Sequence, residues 1–305
     1  MLYKRLKEVL SRPEVQRNPL QALFKRIAWR WRWLGNSEPF IIPLGSSLKI
    51  AIPKTGSGAS IYYRGFSEPD TADFLQRFLQ PGMVMVDIGA HIGEYTLLAS
   101  HAVGRSGQVH AFEPQAPIFP ILRKNVEING LENVVLNDLA VGDQVGELEF
   151  ELANEPSMSS IRKHDILDQS TQVVKVPVTT LGTYWSEHIS KKVDLIKVDV
   201  EGAEKFVFLG ATSLMEISSA EAPTWIFEYG PQAYADFNYQ PAELLNLIQQ
   251  YGYSIWQYSA ANRLTPFDPQ ATLPDIVNLI ATKNPVQLAA QLEGVAQKID
   301  HPTPA

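Results

Sequence analysis

VDIGAHIGEYT, residues 86–96, is the stretch on which the fold turns. An apolar run, MVMVDIGA (83–90), leads into Asp87 and a glycine turn, and YTLLASHAV (95–103) then has the apolar period of a helix. Strand, glycine turn and helix in that order make the nucleotide-binding corner of a doubly wound sheet. Gly89 suits a tight turn with close backbone approach to a ligand, and Gly93 lets the helix pack close to the strand. His91 stands where a G-x-G-x-G run would place its middle glycine. A dinucleotide sets its pyrophosphate against such a loop and the helix N-terminus. Asp87, just ahead of the loop, repels a phosphate and suits a positive group such as the amino group of a methionine moiety.

Outward from that corner, strands alternate with helical stretches. GQVHAFEP (107–114) reads as a second strand and PIFPILRKNVEING (117–130) as a helix closed by Asn129 and Gly130. NVVLNDLAVGD (133–143) reads as a third strand and loop, and GELEFEL (146–152) as a half-exposed strand. VDLIKVDVEGAE (193–204) is a strongly apolar strand ending in acids and a glycine, with its crossover helix in 205–215. PTWIFEYGP (223–231), a helix over 241–252, and strands in 253–259 and 275–284 follow. The alternation predicts an α/β fold with a mostly parallel sheet. The polar segment 153–172, with Arg162, Lys163 and His164, is long enough for a lid or an ordinary excursion. Pro177 in VVKVPVTTLGTYW (173–185) suits an edge or irregular strand. Upstream, PFIIPL, SLKIAI and ASIYYRG predict three short strands, with Gly56, Ser57 and Gly58 turning between the last two, and 68–80 predicts a helix. Residues 286–305 read as a loose polar tail. The expected organisation is a basic helical extension (1–37), leading strands and a helix (38–82), a core domain (83–284) and a tail (285–305).

The chain has 305 residues, 45% hydrophobic and 19% charged, a globular composition. The absence of cysteine excludes disulfides, thiolate metal sites and cysteine nucleophiles. Net charge is −7, but residues 1–35 carry nine Lys/Arg against two Asp/Glu, leaving −14 on the remainder. That balance argues against a large nucleic-acid footprint. With neither an 18-residue apolar run nor a signal-peptide pattern, a cytoplasmic protein is expected. Leu20, Leu23, Phe24, Ile27, Trp31 and Leu34 recur at helical spacing among Lys25, Arg26, Arg30 and Arg32. The preferred reading docks this stripe on its own domain; contact with a membrane surface or a partner is the other.

Glu113 follows the second strand, 20 residues after Gly93. A carboxylate there can accept hydrogen bonds from both hydroxyls of an unphosphorylated ribose. With Asp87 and the glycines it points to an adenosine-type cofactor.

Four stretches, FLQPGMVMVDIGAHIGEYTLLAS (78–100), GQVHAFEPQAPIFPILRKNVEINGLENVVLNDLAVGD (107–143), VPVTTLG (176–182) and VDLIKVDVEGAE (193–204), resemble the FkbM-type S-adenosylmethionine-dependent methyltransferases. WIFEYGP (225–231) adds a weaker match, and the resemblance covers roughly 60–260. It implies the class I, Rossmann-like sheet of seven strands, order 3-2-1-4-5-7-6, with strand 7 antiparallel and helices on both faces. It also implies S-adenosylmethionine, with S-adenosylhomocysteine as product, lying over Asp87, Gly89, Ala90, His91 and Gly93. The ribose would sit on Glu113, the adenine near Asp138 and Ala140, and the methyl group near Asp199. The implied acceptor is a hydroxyl oxygen on a sugar, glycan or natural-product scaffold. This chain departs from the family in having Leu181 and Gly182 where relatives often read TLD.

A hydroxyl acceptor gains from a nearby base. His91, Asp199, Glu201 and Glu228 are the candidates, and strand-end placement makes the three carboxylates a platform for a polyol. They could also bind a divalent cation through oxygen, but none is expected, and no close His-x-x-x-His pair suggests zinc. Tyr229, Tyr234 and Tyr239 suit either stacking on an acceptor or a small aromatic core. The alternatives are an NAD-dependent oxidoreductase or epimerase, disfavoured by Asp87, and a non-catalytic scaffold retaining the cofactor fold. A nucleic-acid methyltransferase is disfavoured by the acidic charge.

Overall fold

The computed structural model describes residues 18–152, 160–161, 172–261, 263–272 and 274–294. Most of the 153–172 segment, including Arg162, Lys163 and His164, lies outside them, as do residues 1–17. Two compact units divide the chain, one reaching to Pro69 and one starting at Asp70.

In the first unit, helix α1 (Pro19–Arg32) starts at Asn18, whose side chain accepts from the Gln21 amide at 3.1 Å. Strands β1 (Phe40–Leu44) and β2 (Leu48–Ile52) form an antiparallel hairpin. The expected third strand is instead helix α2 (Gly56–Arg64). Thr55 decides this, because its hydroxyl accepts the Gly58 amide at 3.1 Å and caps a first turn that Gly56–Gly58 otherwise reads as a loop. The stripe on α1 also lies opposite to its expected side. Leu20, Leu23, Phe24, Ile27, Trp31 and Leu34 are exposed, and the helix packs on its unit through Ala22, Trp29 and Trp33.

The second unit opens with α3 (Pro69–Phe78) and runs β3 (Val84–Ile88), α4 (Glu94–Val103), β4 (Gln108–Phe112), α5 (Phe119–Ile128) and β5 (Val134–Asn137). Four strands then form a separate sheet: β6 (Ala140–Gly142), β7 (Gly146–Leu152), β8 (Ser160–Ile161) and β9 (Gln172–Thr180). Next come α6 (Leu181–His188), β10 (Leu195–Val198), α7 (Glu204–Leu209), α8 (Thr212–Met215) and β11 (Thr224–Tyr229). The chain continues with α9 (Pro241–Gln250), β12 (Ser254–Ser259), β13 (Arg263–Pro266), β14 (Val277–Thr282) and α10 (Pro285–Glu293).

The main sheet has the order β13-β12-β14-β11-β10-β3-β4-β5. Strands β5, β4, β3, β10 and β11 are parallel, and β14 runs antiparallel between β11 and β12. Without the added edge strand β13, this is the 3-2-1-4-5-7-6 order of the class I methyltransferase sheet. Every residue of β3, β10 and β11 is buried, as in a parallel sheet covered on both faces.

Pro177 lies in an interior strand, since β9 sits between β6 and β7. The β6 ladder begins one residue later, at Val178, so the residue without an N–H falls just outside it. The expected tail contains α10, whose Leu288 and Leu292 are buried. The Gln291 side chain donates to the Phe78 carbonyl, and Arg77 Nη1 donates to the Leu292 carbonyl at 3.4 Å. The expected crossover helix over 205–215 is two short helices, α7 and α8, parted at Gly210–Ala211. A side chain at Gly210 would run into the Gly142 carbonyl.

Candidate functional site

The site forms where the carboxyl ends of β3, β4, β10 and β11 meet, the usual ligand position in an open α/β sheet. After β3 the chain turns through Gly89 at φ +79°. A Cβ on Gly89 would collide with the carbonyl oxygen of Asp199, so the close approach is to the end of β10. Gly93, at φ +89°, is the N-cap of α4, and a Cβ there would sit 2.5 Å from Leu122 Cδ1 on α5.

The amides of this loop already have partners. Those of Gly89 and Ala90 both donate to the Phe112 carbonyl, at 3.0 and 2.9 Å. The His91 amide donates to Glu113 Oε2 at 2.8 Å, and the Gln115 amide to Glu113 Oε1 at 2.9 Å. Amides held in this way do not make a phosphate cradle, and the acids Asp87 and Glu94 are buried beside the start of α4. Both facts count against a dinucleotide. Glu113 therefore braces the glycine loop, while each of its oxygens retains a second lone pair for a hydroxyl donor. Burial pushes its carboxyl up to about 7, against the two amide hydrogen bonds.

Asp87 is fully buried. Its Oδ2 accepts from the Thr96 hydroxyl at 2.6 Å, and its Oδ1 has no hydrogen-bond partner among the described residues. Burial raises its pKa, countered first by Lys197 and then by Thr96. His91 takes φ +50°, in the left-handed region. Burial holds its imidazole down at about 4, so it is neutral at physiological pH, and its Nε2 lacks a partner among the described residues.

On the other side of the mouth, Asp199 continues the ladder from β10, its amide donating to the Ile88 carbonyl at 3.0 Å. The chain then turns through Glu201 (φ +54°) and Gly202 (φ +104°). Glu204, fully buried, holds this turn by accepting the amides of Val200 and Gly202 on one oxygen, both at 3.2 Å. Burial pushes Glu204 up to about 7. The Tyr239 hydroxyl donates to the Gly202 carbonyl at 2.7 Å. One oxygen each from Asp199, Glu201 and Glu228 lies within 4.8 Å of the others. The structure thus gathers the three carboxylates despite the break in strand geometry between the first two.

Sequence reading missed Lys197. It is almost wholly buried in β10, and its Nζ is 2.8 Å from Asp199 Oδ2 and 5.1 Å from the centroid of the Tyr95 ring. It is paired in register with Asp87 across the parallel ladder. A lysine inside an otherwise apolar strand that ends in acids was the available signal.

Asp138 is exposed at the end of β5, and the Ala140 side chain is buried with Val176 and Val178 of the second sheet. Tyr229, Tyr234 and Tyr239 are buried, with Tyr234 and Tyr239 stacked at 4.7 Å, which makes them a small aromatic core. A cleft of about 690 Å³ opens beside Tyr229, between Gln232, Gln249, Phe267 and Asp275, and none of the three carboxylates lines it.

A sequence model of the methyltransferase FkbM domain matches residues 87–255. The chain belongs to the FkbM methyltransferase family. The FkbM match begins at Asp87 and takes in every loop just described. Methyltransferase 1 of Beauveria bassiana (strain ARSEF 2860) is 30% identical over 143 residues, 41% of this chain and 57% of that protein. The chain thus spans little more than half the length of that curated relative. Among solved structures, an S-adenosylmethionine-dependent O-methyltransferase of Thermotoga maritima aligns at 16% identity and a TM-score of 0.38, over 70% of this chain and 65% of that one. The M. jannaschii protein TYW2 in complex with AdoMet aligns at 15% identity and 0.40, over 81% and 85%. An rRNA methylase of Streptococcus thermophilus aligns at 13% and 0.39, over 70% and 93%.

The residues present fit S-adenosylmethionine, the cofactor of this family. A buried carboxylate with one unpartnered oxygen (Asp87) suits an ammonium group. A second carboxylate with lone pairs to share (Glu113) suits ribose hydroxyls.

Proposed function

We propose that this FkbM domain catalyses O-methylation of a hydroxyl on a sugar, glycan or other polyol scaffold at the mouth formed by Asp199, Glu201 and Glu228. The observation that carries the reading is the convergence of those three carboxylates beside the glycine loop. Several acceptor-only groups close together suit a ligand rich in hydroxyl donors. They repel phosphates, as does the charge of −14 on residues 36–305, which favours a neutral acceptor over a nucleic acid.

When bound, S-adenosylmethionine would supply a methyl group made electrophilic by its sulfonium, the methyl–sulfur bond breaking with its electron pair left on the sulfur of S-adenosylhomocysteine. The chain's own residues hold, align and deprotonate. Asp87 would hold the ammonium group and Glu113 the ribose. Lys197 fixes Asp199 through its 2.8 Å ion pair and so orients the other oxygen, Oδ1, toward the acceptor. Asp199 Oδ1 takes the proton of the acceptor hydroxyl, whose oxygen keeps the electron pair for the new C–O bond. Glu201 and Glu228 hold neighbouring hydroxyls, which confines approach to one direction. His91, neutral above about pH 4, offers Nε2 as a hydrogen-bond acceptor at the same mouth.

The test is transfer of labelled methyl from S-adenosylmethionine to a panel of monosaccharides, glycans and polyketide alcohols, with ribosomal RNA and DNA in parallel. Label on a hydroxyl oxygen supports the reading. Label on RNA or DNA alone overturns the acceptor class. Activity abolished by a chelator and restored by Mg²⁺ or Ca²⁺ would make the three carboxylates metal ligands.

A further inference from the structure

Helix α1 has two apolar sides, and among the described residues only one of them is packed against the rest of its unit. The inner side is held by rings. Trp33 is buried, at 6% exposure, with its ring centroid 5.2 Å from that of Phe40. Trp29 lies 5.1 Å from the Tyr62 ring. The outer side carries Leu20, Leu23, Phe24, Ile27, Trp31 and Leu34, with Phe24 69%, Trp31 77% and Leu34 73% exposed. At 100° per residue the five within the helix, Leu20 to Trp31, fall within roughly a third of its circumference, and Leu34 follows just past its end. A contiguous stripe of that kind marks an interaction surface, unlike scattered exposed apolar residues.

Helical geometry sets Arg30 and then Arg26 along one border of this stripe. Lys25 and Arg32 lie toward the inner side, over the Tyr62 and Phe40 rings at 5.9 and 4.6 Å. The helix contains no acid, and residues 1–17 add five more Lys/Arg against two Glu. An apolar stripe with an indole in it, cations along one edge and no acid has the chemistry of a helix lying in the plane of an anionic bilayer surface.

A second copy of the chain would bring the same positive charge to this face, whereas an anionic surface complements it. Residues 1–35 carry +7 and would be drawn to such a surface, while the −14 of the remainder would be repelled. We infer that the outer face of α1 docks this chain on anionic lipid membranes, inserting Phe24, Ile27 and Trp31 at the headgroup boundary with Arg26 and Arg30 on lipid phosphates.

The test is flotation of the full chain with vesicles of phosphatidylcholine alone or with a third phosphatidylglycerol. The expected result is at least tenfold more bound protein on the anionic vesicles, falling as salt rises. Ile27→Glu with Trp31→Glu should return binding to the phosphatidylcholine level. Because both side chains face solvent, the unfolding midpoint and methyl transfer to a soluble acceptor should stay unchanged, which separates this inference from the proposed catalysis. Equal binding to both vesicle types overturns it. So does anionic binding that survives the double substitution. A concentration-dependent dimer that the same substitutions abolish, with no vesicle binding, would assign the face to a second copy of the chain instead.

Discussion

Two loops leave the carboxyl ends of neighbouring strands, 89–93 after β3 and 199–203 after β10, and each is held by a buried glutamate. In the first, Glu113 accepts the amides of His91 and Gln115; in the second, Glu204 accepts those of Val200 and Gly202. Each loop places one non-glycine residue in the left-handed region, His91 at φ +50° and Glu201 at φ +54°. The difference lies in where the brace comes from. Glu113 belongs to the end of another strand and ties two strands together, whereas Glu204 is local, two residues beyond the glycine it holds. A long-range brace fixes the loop against the sheet, which suits a permanent cofactor seat. A local brace fixes only the shape of its own turn, which suits a mouth for varied acceptors. Lys197 pairs with Asp199 at the second loop and also acts on Asp87 ahead of the first.

The sharpest way to break this comparison is at the glycines. Gly89→Ala puts a methyl group into the Asp199 carbonyl at a strained φ, and neither backbone can yield without parting β3 from β10. The expected cost is about 4 kcal/mol, in the range reserved for gross steric conflict. Gly202→Ala meets the edge of the Phe237 ring at 2.7 Å, a side chain that can turn aside, and should cost about half as much. Urea unfolding of both variants measures this, and equal costs would remove the distinction between long-range and local loops.

Next in size is Asp199→Asn. It should lower single-turnover methyl transfer by about 100- to 10,000-fold, the reach of a positioned base, with S-adenosylhomocysteine affinity little changed. A near-normal rate there and in Glu201→Gln and Glu228→Gln would leave His91 as the base. Glu113→Ala should weaken S-adenosylhomocysteine binding about 10- to 1000-fold by calorimetry, through loss of the ribose contact and the loop brace together. Glu204→Ala should leave that affinity within about threefold, on the same hydrogen-bond scale, and lower turnover. If the two glutamates behave alike, the division of labour fails.

A further prediction concerns pH. Burial raises Glu113 and Glu204 from the usual 4.5 to about 7. Below pH 4.5 folded and unfolded chains both hold these protons, and the stabilising contribution is complete. As pH rises the unfolded chain releases them first, so each group's contribution falls by about 1.4 kcal/mol per unit and is gone above pH 7. Comparing unfolding midpoints of the cofactor-free protein and Glu204→Gln from pH 4.5 to 8 should show the variant with the shallower decline. Parallel curves would mean that Glu204 is ionised throughout.

The main sheet was legible because buried parallel strands are written as apolar runs such as VMVDI and LIKV, each closed by an acid or a glycine. The cofactor loop was legible for the same reason, since Gly89 and Gly93 sit at fixed offsets from a strand end. What escaped reading depended on single side-chain contacts. Thr55 turns a Gly-Ser-Gly turn into the start of α2. Leu288 and Leu292 make a helix of a segment too polar to suggest one. Helical period located the stripe on α1 but could not say which side faced inward, because Trp29 and Trp33 offered a second apolar side. Lys197 looks like an interruption in a strand until the register sets it beside Asp87, and Glu204 looks like a helix-capping acid until its two amide partners are seen.

The hydrogen bonds from Gln291 to Phe78 and from Arg77 to Leu292 tie the last helix of the second unit to its first. Between them, β14 has to slot between β11 and β12, two strands made before it. This order carries a consequence for synthesis on the ribosome. Strands β3, β4 and β5 can pair early, but the sheet has an open side at β11 until residues 277–282 have emerged, and α3 gains its hydrogen bonds to α10 only once 285–293 follow. An unfinished chain therefore presents the apolar flank of β11, WIFEY at 225–229, as an unpaired strand, so the window in which a nascent chain is most prone to misassociate falls late, after most of the cofactor seat has already been made.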